Sequence, residues 1–210
     1  MMKPQQRIVF FDLDGTLHKQ DLFCCYLRYC LVRQPLNLLP VLLFAPVIIG
    51  ALLLNKAARW PVSLLLWAVT VGHSERFLQQ QETGFCRWAQ QHITPFPEVL
   101  QRLYGYLQDT DTRVWLVTGS PQSLVEGIYG SASFLCQVNL IGSQMQRRFG
   151  GRVLSLRCFG RQKVIELEQR IGCLPKLHSG YSDSNFDTPL MDYCQYRWRI
   201  TASGSIQQLD

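Results

Sequence analysis

The sequence predicts an α/β fold in which a mainly parallel sheet is flanked by helices. Two runs rich in aliphatic and aromatic residues, 7–11 and 113–117, each end in a polar turn, and a further strand is predicted near 177–180 before a third polar segment. Strands that alternate with helices favour parallel pairing, because a parallel neighbour needs a crossover connection. A long insertion separates the first run from the second, so the sheet draws strands from both sides of it.

The remaining elements follow in order along the chain. Mixed polarity predicts a helical region over 75–108, interrupted by two prolines. A proline just before 122–129 predicts that a helix starts there. Two adjacent glycines divide 136–157 into a β-hairpin. The last predicted elements are a helix over 161–171, a helix over 189–194 and a strand over 196–201.

The composition is apolar for a soluble protein. Charged residues make up 17% of the 210 residues, against about 25% in average proteins. The net charge of +6 is compatible with nucleic acid, an anionic membrane or a phosphorylated substrate. Zinc-finger spacing, an aromatic–basic sheet motif and a lysine-rich tail are all missing, so we expect no nucleic-acid partner. No motif predicts an obligate protein partner.

Polar residues cluster where the predicted strands end. Open parallel sheets bind ligands at that edge, so we expect these residues to meet. Asp12 and Asp14 follow the first strand, two positions apart, which directs both carboxylates to one side. Thr118-Gly119-Ser120 follows the second strand and offers a hydroxyl and main-chain amides to phosphoryl oxygens. Asp183 and Asp187 follow the third, four residues apart, and suit a hard cation.

Lys163 is predicted to open a helix between the second and third of these motifs. A cation is unfavourable at that end of the helix dipole unless it meets an anion. Each residue also has a simpler interpretation on its own. Asp-x-Asp-Gly-Thr is often a turn, Thr118 a helix cap and Lys163 a solvated charge, while Asp183 and Asp187 suit a loop. The combination of all four motifs favours catalysis.

Together these motifs resemble the haloacid-dehalogenase superfamily of phosphatases, over the whole chain apart from the insertion. The resemblance implies that Asp12 is the nucleophile and forms an aspartyl-phosphate. It implies that Asp14 protonates the leaving oxygen and then activates water. Thr118-Gly119-Ser120 and Lys163 would bind the phosphoryl group, over which negative charge spreads during transfer.

The resemblance also implies Mg²⁺ as the cofactor. Its ligands would be the carboxylates of Asp12 and Asp183 and the main-chain carbonyl of Asp14, with Asp187 supporting the ion from nearby. The physical reason for a divalent cation is that an anionic carboxylate must approach an anionic phosphate ester.

The insertion contains the most apolar part of the chain. We expect 1–20 and 110–210 to form the catalytic core and 21–109 to form an inserted helical cap. The segment 34–55 carries no charge, and as a helix it would be about 33 Å long, close to the thickness of a bilayer core. A second charge-free stretch, 60–72, is too short for an ordinary span.

A single membrane crossing would place Asp12 and Asp183 on opposite sides of the bilayer. Basic residues flank the apolar run on both sides, which favours a cytoplasmic location for both of its ends. We therefore expect a membrane-associated hairpin or re-entrant segment at about 34–72. A core helix of a soluble cap is the alternative. The flanking basic residues are Arg28, Arg33, Lys56 and Arg59.

A phosphatase on the cytoplasmic face of the bacterial inner membrane is expected to act on a lipid phosphomonoester. Four segments, 10–18, 58–61, 118–121 and 180–185, resemble a family of bacterial lipid phosphatases. This resemblance implies phosphatidylglycerophosphate as the substrate and phosphatidylglycerol as the product. Phosphatidate and lysophosphatidate are alternatives, as are a soluble phosphoserine-type phosphatase and an inactive membrane adaptor. The filled catalytic positions argue against an inactive fold.

Several arginines late in the chain are candidates for contact with an anionic membrane. Basic side chains near a surface attract anionic lipid, although a solvated basic face explains them equally well. These residues are Arg147, Arg148, Arg152, Arg157 and Arg161.

Overall fold

The computed structural model of the chain describes residues 6–172 and 175–209. Within these ranges the strands form one sheet, and they are β1 (Arg7–Phe11), β2 (Thr112–Pro121), β3 (Asn139–Arg148), β4 (Gly151–Leu156), β5 (Leu177–Ser182), β6 (Cys194–Ile200) and β7 (Ile206–Leu209). The helices are α1 (Leu22–Arg33), α2 (Leu38–Leu54), α3 (Arg59–Thr70), α4 (Glu75–His92), α5 (Pro97–Leu107), α6 (Gln122–Tyr129), α7 (Arg161–Ile171) and α8 (Thr188–Met191).

The sheet has the strand order β4-β3-β2-β1-β5-β6-β7. Its five inner strands pair in parallel, and β4 and β7 are antiparallel at the two edges. The predicted mainly parallel sheet flanked by helices is therefore confirmed. At the end of β1, Phe11 pairs with Leu116 of β2 and Tyr181 of β5. The polar residues that follow these three positions consequently meet at one edge.

Helices cover both faces of the sheet, which is why its central strands β1 and β2 are buried over most of their length. Alternate residues of β1 point to opposite sides. Val9 and Phe11 belong to a large core shared with the insertion, α5 and α6. Ile8 and Phe10 belong to a second core with α7 and α8. Because both faces of β1 are packed, the end of the strand is held in place, and so is Asp12, which follows it.

Three parts of the prediction differ from the structure. Strand β2 continues to Pro121, so Thr118, Gly119 and Ser120 lie within the strand and do not follow it. The predicted helix over 189–194 is only the short α8, because Cys194 already begins β6. Strand β7 was not predicted, since Ile-Gln-Gln-Leu is short and has a polar centre. The predicted hairpin over 136–157 is present as β3 and β4, and β3 also joins the main sheet through parallel pairing with β2.

Helices α1 to α4 lie in the insertion, whereas α5 packs on β2 of the sheet. The two apolar helices form an antiparallel pair that we call the α2–α3 hairpin. At one end of the hairpin, Asn37 Nδ2 donates to the carbonyl oxygens of Val69 (2.7 Å) and Val71 (3.3 Å). Helix α3 packs directly on β4, and α2 covers the outer side of α3.

Helix α2 exposes most of its apolar surface. The helical stretch Pro35–Leu54 has a mean hydropathy of 2.4, yet only 11% of it is buried. A core helix would be mostly buried, so this helix is not a core helix of the chain described here. Its exposed large side chains are Leu36, Leu38, Leu39, Leu42, Leu43, Val47, Ile49, Leu53 and Leu54.

Candidate active site

Asp12 is the first residue beyond β1, and its position is fixed by the backbone. Its N–H donates to the carbonyl oxygen of Tyr181 (2.9 Å), which extends the β1–β5 ladder by one residue. Its side chain is only 5% exposed, and Oδ1 accepts from Lys163 Nζ (2.7 Å). Burial raises the pKa of Asp12, and the charges of Asp187 and Asp14 raise it further against the opposing effect of Lys163. The candidate nucleophile is therefore held in a fixed position, and two further carboxylates lie near it.

Lys163 lies near the start of α7 and is 3% exposed. Its Nζ contacts Asp12 Oδ1 (2.7 Å), Asp187 Oδ1 (2.8 Å) and Asp187 Oδ2 (2.9 Å). Burial alone would lower the pKa of Lys163, but the attraction of the two carboxylates outweighs burial and raises it above the usual range. The ammonium is therefore charged, and its carboxylate partners explain a cation at this end of a helix.

Asp14 accepts hydrogen bonds on both of its side-chain oxygens. Oδ2 accepts from the hydroxyls of Ser120 (2.6 Å) and Thr118 (3.0 Å). Oδ1 accepts from the Leu22 N–H (2.8 Å) at the start of α1. Burial favours the neutral acid, but hydrogen bonding and charge from His18 and the other donors hold the pKa of Asp14 below its ordinary value. The resting side chain is a carboxylate, which suits a base.

The loop after β5 packs directly onto the loop after β1. Thr16 Oγ1 accepts from the Asp183 N–H (3.1 Å) and lies 3.5 Å from Asp183 Oδ1. Gly15 adopts a φ of +71°, and a Cβ there would lie 2.3 Å from Asp183 Oδ2. A side chain at this position would be both strained and in collision with the carboxylate. The glycine of the first motif therefore permits the contact between the two loops.

Asp187 is 2% exposed and lies behind Lys163. Besides the two contacts with Lys163, its Oδ2 accepts from the Ser182 hydroxyl (2.7 Å). Both oxygens are thus engaged by protein donors. In this arrangement Asp187 holds the lysine, and direct contact with a metal ion stays a prediction.

Gly119 and Ser120 line the same cavity as Lys163. The Ser143 hydroxyl donates to the Gly119 carbonyl (2.6 Å) and accepts from the Cys158 N–H (2.9 Å), which ties this end of β2 to β3. Thr118 is fully buried, and its hydroxyl donates to Asp14 instead of pointing into open space. The structure thus gives Thr118 a contact with the acid–base candidate that the sequence did not predict.

The donor set is compatible with a hard cation in its chemistry. Asp12 and Asp183 supply carboxylate oxygens. The side-chain oxygens of Asp14 already accept protein hydrogen bonds, which leaves its main-chain carbonyl as the available group. In the part of the chain that the structure describes, no three His, Cys, Asp or Glu side chains form a metal-binding cluster by themselves. Such a site would thus rely on main-chain, water or substrate oxygens for its remaining ligands, as Mg²⁺ commonly does.

A cavity of ≈ 460 Å³ opens over these residues, and we call it the active-site cavity. One part of its wall is polar and carries Asp12, Asp14, Gly119, Ser120, Lys163, Asp183 and Asp187. Another part is apolar and comes mainly from the insertion, with further side chains from β4 and from the segments before α7 and after β5. The apolar residues are Phe23, Leu27, Leu52, Val62, Leu65, Leu154, Phe159 and Phe186.

Sequence reasoning missed several residues that hold the site. His18 is fully buried; its Nδ1 lies 2.7 Å from the Tyr129 hydroxyl, and its Nε2 lies 3.5 Å from Asp14 Oδ1. Thr16 accepts a hydrogen bond from the Asp183 N–H, and Ser182 donates one to the Asp187 carboxylate. Thr16 and His18 stand inside or next to the first motif, so proximity was an available signal. Tyr129 comes from a distant helix, and nothing in the sequence links it to the site.

The arginines predicted to face a membrane have different environments. Arg152 is buried and pairs with Glu82 (2.7 Å) and Glu75 (2.8 Å), so neither a lipid contact nor a solvated position fits it. Arg147 also reaches Glu75 (3.3 Å) but remains partly exposed. Arg148 and Arg161 are exposed. Arg157 is half-buried and lines the active-site cavity.

An aspartate at the tip of a central parallel strand, paired with a buried lysine and followed two residues later by a second aspartate, defines a phosphoryl-transfer class of hydrolase. A family model described as haloacid dehalogenase-like hydrolase matches residues 9–192. The chain belongs to this family. It is thus a haloacid dehalogenase-like hydrolase, in a group whose phosphatases generally use Mg²⁺.

Solved structures with the same fold cover nearly the whole chain. A protein of unknown function from Bordetella pertussis Tohama I has a TM-score of 0.65 at 20% identity, over 92% of this chain and 89% of that one. A substrate-bound phosphoserine phosphatase has a TM-score of 0.57 at 16% identity, over 93% and 86%. A phospho-aspartyl intermediate analogue of phosphoserine phosphatase has a TM-score of 0.52 at 13% identity, over 92% and 85%. At these identities the likeness concerns the fold.

Proposed function

We propose that this chain is a Mg²⁺-dependent lipid phosphatase that converts phosphatidylglycerophosphate to phosphatidylglycerol. The observation that carries the proposal is the active-site cavity, in which catalytic carboxylates share one space with apolar side chains of the insertion. A phosphomonoester with a hydrocarbon tail has the matching combination of groups.

In the first step, an Asp12 carboxylate oxygen attacks phosphorus and the ester P–O bond breaks. The leaving alkoxide takes a proton from Asp14, and an aspartyl-phosphate remains on the enzyme. Lys163, which is 2.7 Å from Asp12, neutralises charge on the phosphoryl oxygens. Gly119 and Ser120 offer further hydrogen-bond donors to these oxygens.

Asp14 rests as a carboxylate and must be protonated to act as an acid. A phosphate dianion entering the cavity raises its pKa, because a like charge nearby disfavours the ionised form. In the second step the regenerated carboxylate takes a proton from water, and the water oxygen attacks phosphorus. The bond between phosphorus and Asp12 breaks, which releases phosphate and restores the free nucleophile. The hydroxyls of Thr118 and Ser120 keep Asp14 in place through both steps.

Mg²⁺ would be held by the carboxylates of Asp12 and Asp183 and the main-chain carbonyl of Asp14. When bound, it supplies positive charge that lets the anionic nucleophile and the anionic phosphate approach each other. The raised pKa of Asp12 supports this assignment. Burial is its main cause, and the charges of Asp187 and Asp14 add to it against the effect of Lys163, so a cation beside Asp12 would stabilise the ionised nucleophile.

The apolar wall of the cavity supports a lipid substrate. Leu52 lies near the end of α2, and Val62 and Leu65 lie on α3, so the wall belongs to the same hairpin whose outer surface is exposed. A lipid tail can therefore contact apolar surface continuously from the reaction site outwards. A soluble metabolite such as phosphoserine gains nothing from such a wall, since the hydrophobic effect rewards only buried apolar area.

The exposed α2 supports attachment to a lipid bilayer. Helix α3 is held against β4, and α2 lies along α3, so the hairpin lies on the body of the protein with its outer face available. This geometry suits a helix embedded in the plane of the membrane interface. Flanking basic residues favour an anionic leaflet, and we assign the protein to the cytoplasmic face of the bacterial inner membrane.

The particular lipid rests on resemblance. The segments 10–18, 58–61, 118–121 and 180–185 resemble phosphatidylglycerophosphatase C. In this chain 10–18 and 180–185 carry the carboxylates, while 58–61 begins α3 of the hairpin. The resemblance therefore covers both the chemistry and the part of the cap that contacts the cavity.

The proposal is tested by phosphate release from a panel of substrates. Purified protein with Mg²⁺ is given phosphatidylglycerophosphate, phosphatidate, lysophosphatidate or phosphoserine, and Asp12→Asn serves as the blank. We expect the highest kcat/KM with phosphatidylglycerophosphate and no release after chelation of the metal. Preference for phosphoserine, with the lipids left intact, would refute the lipid assignment and favour a soluble metabolite phosphatase.

A further inference from the structure

Arg157 follows β4 and lines the active-site cavity together with Asp12 and Lys163. Its Nη1 donates to the carbonyl oxygens of Lys56 (2.8 Å) and Ala58 (2.6 Å), in the turn that connects α2 to α3. Its guanidinium also lies over the ring of Phe159, 4.5 Å from the centroid. The side chain is thus fixed in place by two carbonyls and an aromatic face.

The charge of Arg157 is not matched by a carboxylate. Within 6–172 and 175–209, none of the ion pairs involves this residue, whereas Arg152 has two glutamates and Lys163 has two aspartates. Partial burial lowers the pKa of Arg157, and no acid offsets that effect. A partly desolvated guanidinium without a counter-ion is unfavourable unless an anion arrives from outside.

The neighbours of Arg157 place this charge beside the apolar wall. Leu154 and Phe159 stand on either side of it in the sequence, and both line the cavity. The turn that it holds begins three residues after Leu52, which also lines the cavity. The charge of Arg157 therefore lies beside the apolar part of the wall, whereas Lys163 pairs with the carboxylates.

We propose that Arg157 determines specificity by binding a second, non-hydrolysed phosphate of the substrate, an assignment that rests on the proposed function. In phosphatidylglycerophosphate a phosphodiester lies between the terminal monoester and the acyl chains. The cavity wall carries a group for each part of that lipid: Lys163 for the monoester, Arg157 for the diester and apolar side chains for the acyl chains. Two carbonyls occupy Nη1, and the other guanidinium N–H groups remain to contact the diester oxygens. Phosphatidate has no second phosphate and makes no such contact.

The test compares Arg157→Gln and Arg157→Lys with a matched control, Arg59→Gln. Arg59 Nη1 donates to the carbonyls of Leu154 and Ser155, so its loss loosens the same turn without removing a cavity charge. Each protein is assayed with Mg²⁺ on phosphatidylglycerophosphate and on phosphatidate in identical detergent micelles. The comparison shows whether Arg157 binds the phosphodiester of the substrate or only holds the turn between α2 and α3.

We expect Arg157→Gln to lower kcat/KM for phosphatidylglycerophosphate about 10- to 100-fold, mainly through KM, as befits a lost charge-assisted contact. Its activity on phosphatidate should stay within about threefold of wild type, which also shows that the variant is folded. Arg157→Lys keeps a charge but not the planar fork, so its loss should be intermediate and confined to the same substrate. Arg59→Gln should affect both lipids equally.

Equal loss on both lipids in the Arg157 variants would overturn the assignment and leave Arg157 as a support of the turn. Unchanged turnover of phosphatidylglycerophosphate would overturn it as well. A wild-type protein that hydrolyses neither lipid would refute the proposed function itself, a result distinct from the other two.

Discussion

The carboxylate edge of the sheet and the α2–α3 hairpin share one cavity but are built in opposite ways. At the edge, Asp12, Asp14, Lys163 and Asp187 all bond to protein partners. On the hairpin, α2 leaves most of its apolar surface without any partner in the chain. The charged side chains at the edge have hydrogen-bond partners within the protein. The hairpin has an apolar surface that nothing in the described chain covers.

This difference separates two parts of the proposed activity. A preorganised, hydrogen-bonded edge performs the chemical step on any phosphomonoester that reaches it. An exposed apolar surface has no effect on that step, but it decides which substrates arrive and from where. Changes at the edge should therefore abolish all activity, whereas changes on the hairpin should affect only lipid substrates.

The largest expected effect is that of Asp12→Asn. Removal of a covalent nucleophile should lower kcat by about 10⁴-fold or more on every substrate. The control is Asp21→Asn, which removes the same charge from the same cavity while keeping a good cap for α1. Phosphate release should fall only a few-fold in the control. Substantial turnover by Asp12→Asn would exclude the aspartyl-phosphate route.

Lys163→Met should reduce both activity and stability. It leaves two buried carboxylates without their cation, and loss of one partner of a buried pair costs about 3–5 kcal/mol. Asp12 already has a raised pKa, so protonation relieves the penalty. The destabilisation should be full above that pKa and shrink as the pH falls through it. Urea unfolding at several pH values measures this, and a pH-independent difference would contradict the ion-pair account.

A charged hairpin tests membrane attachment. Leu42 and Leu43 are 60% and 72% exposed on α2, so Leu42→Glu with Leu43→Glu should not disturb the core. We expect flotation with phosphatidylglycerol vesicles to fall about 100-fold or more, since two buried leucines together contribute about 3–6 kcal/mol. The control, Gln101→Glu on α5 with Gln108→Glu directly after it, adds the same charge and should still float. If the control is released to the same extent, net charge and not apolar contact holds the protein on the vesicle.

The smallest expected effect is that of Tyr129→Phe. It removes the hydroxyl that contacts His18 Nδ1 at 2.7 Å and so loosens a ring beside Asp14. We expect kcat to fall by about three- to tenfold with KM unchanged, as for loss of one positioning hydrogen bond. Tyr193→Phe, at an exposed position, is the control. An altered KM with unchanged kcat would mean that Tyr129 acts on substrate binding instead.

The fold and the carboxylates were predictable because each motif directly follows an apolar strand. Strand ends at the same edge of a parallel sheet bring Asp12 and Asp183 together without further information. The hydrogen bonds of Thr118 and Ser182 were not predictable, because a hydroxyl chooses among partners that come from distant segments. Arg157 looked like any surface arginine until the turn of the hairpin was placed against it. The depth of α2 in a membrane depends on the surroundings, and the sequence contains only its apolar character.

The claim that the edge performs the chemistry and the hairpin selects lipid substrates is tested most directly by the ratio of two activities. For the protein with Leu42→Glu and Leu43→Glu, kcat/KM is measured with Mg²⁺ on phosphatidylglycerophosphate in phosphatidylcholine vesicles and on soluble p-nitrophenyl phosphate. We expect the vesicle activity to fall by about tenfold or more, as for the loss of apolar contact, while the soluble activity stays at the wild-type value. Equal losses on both substrates, or no loss on vesicles, would contradict the account.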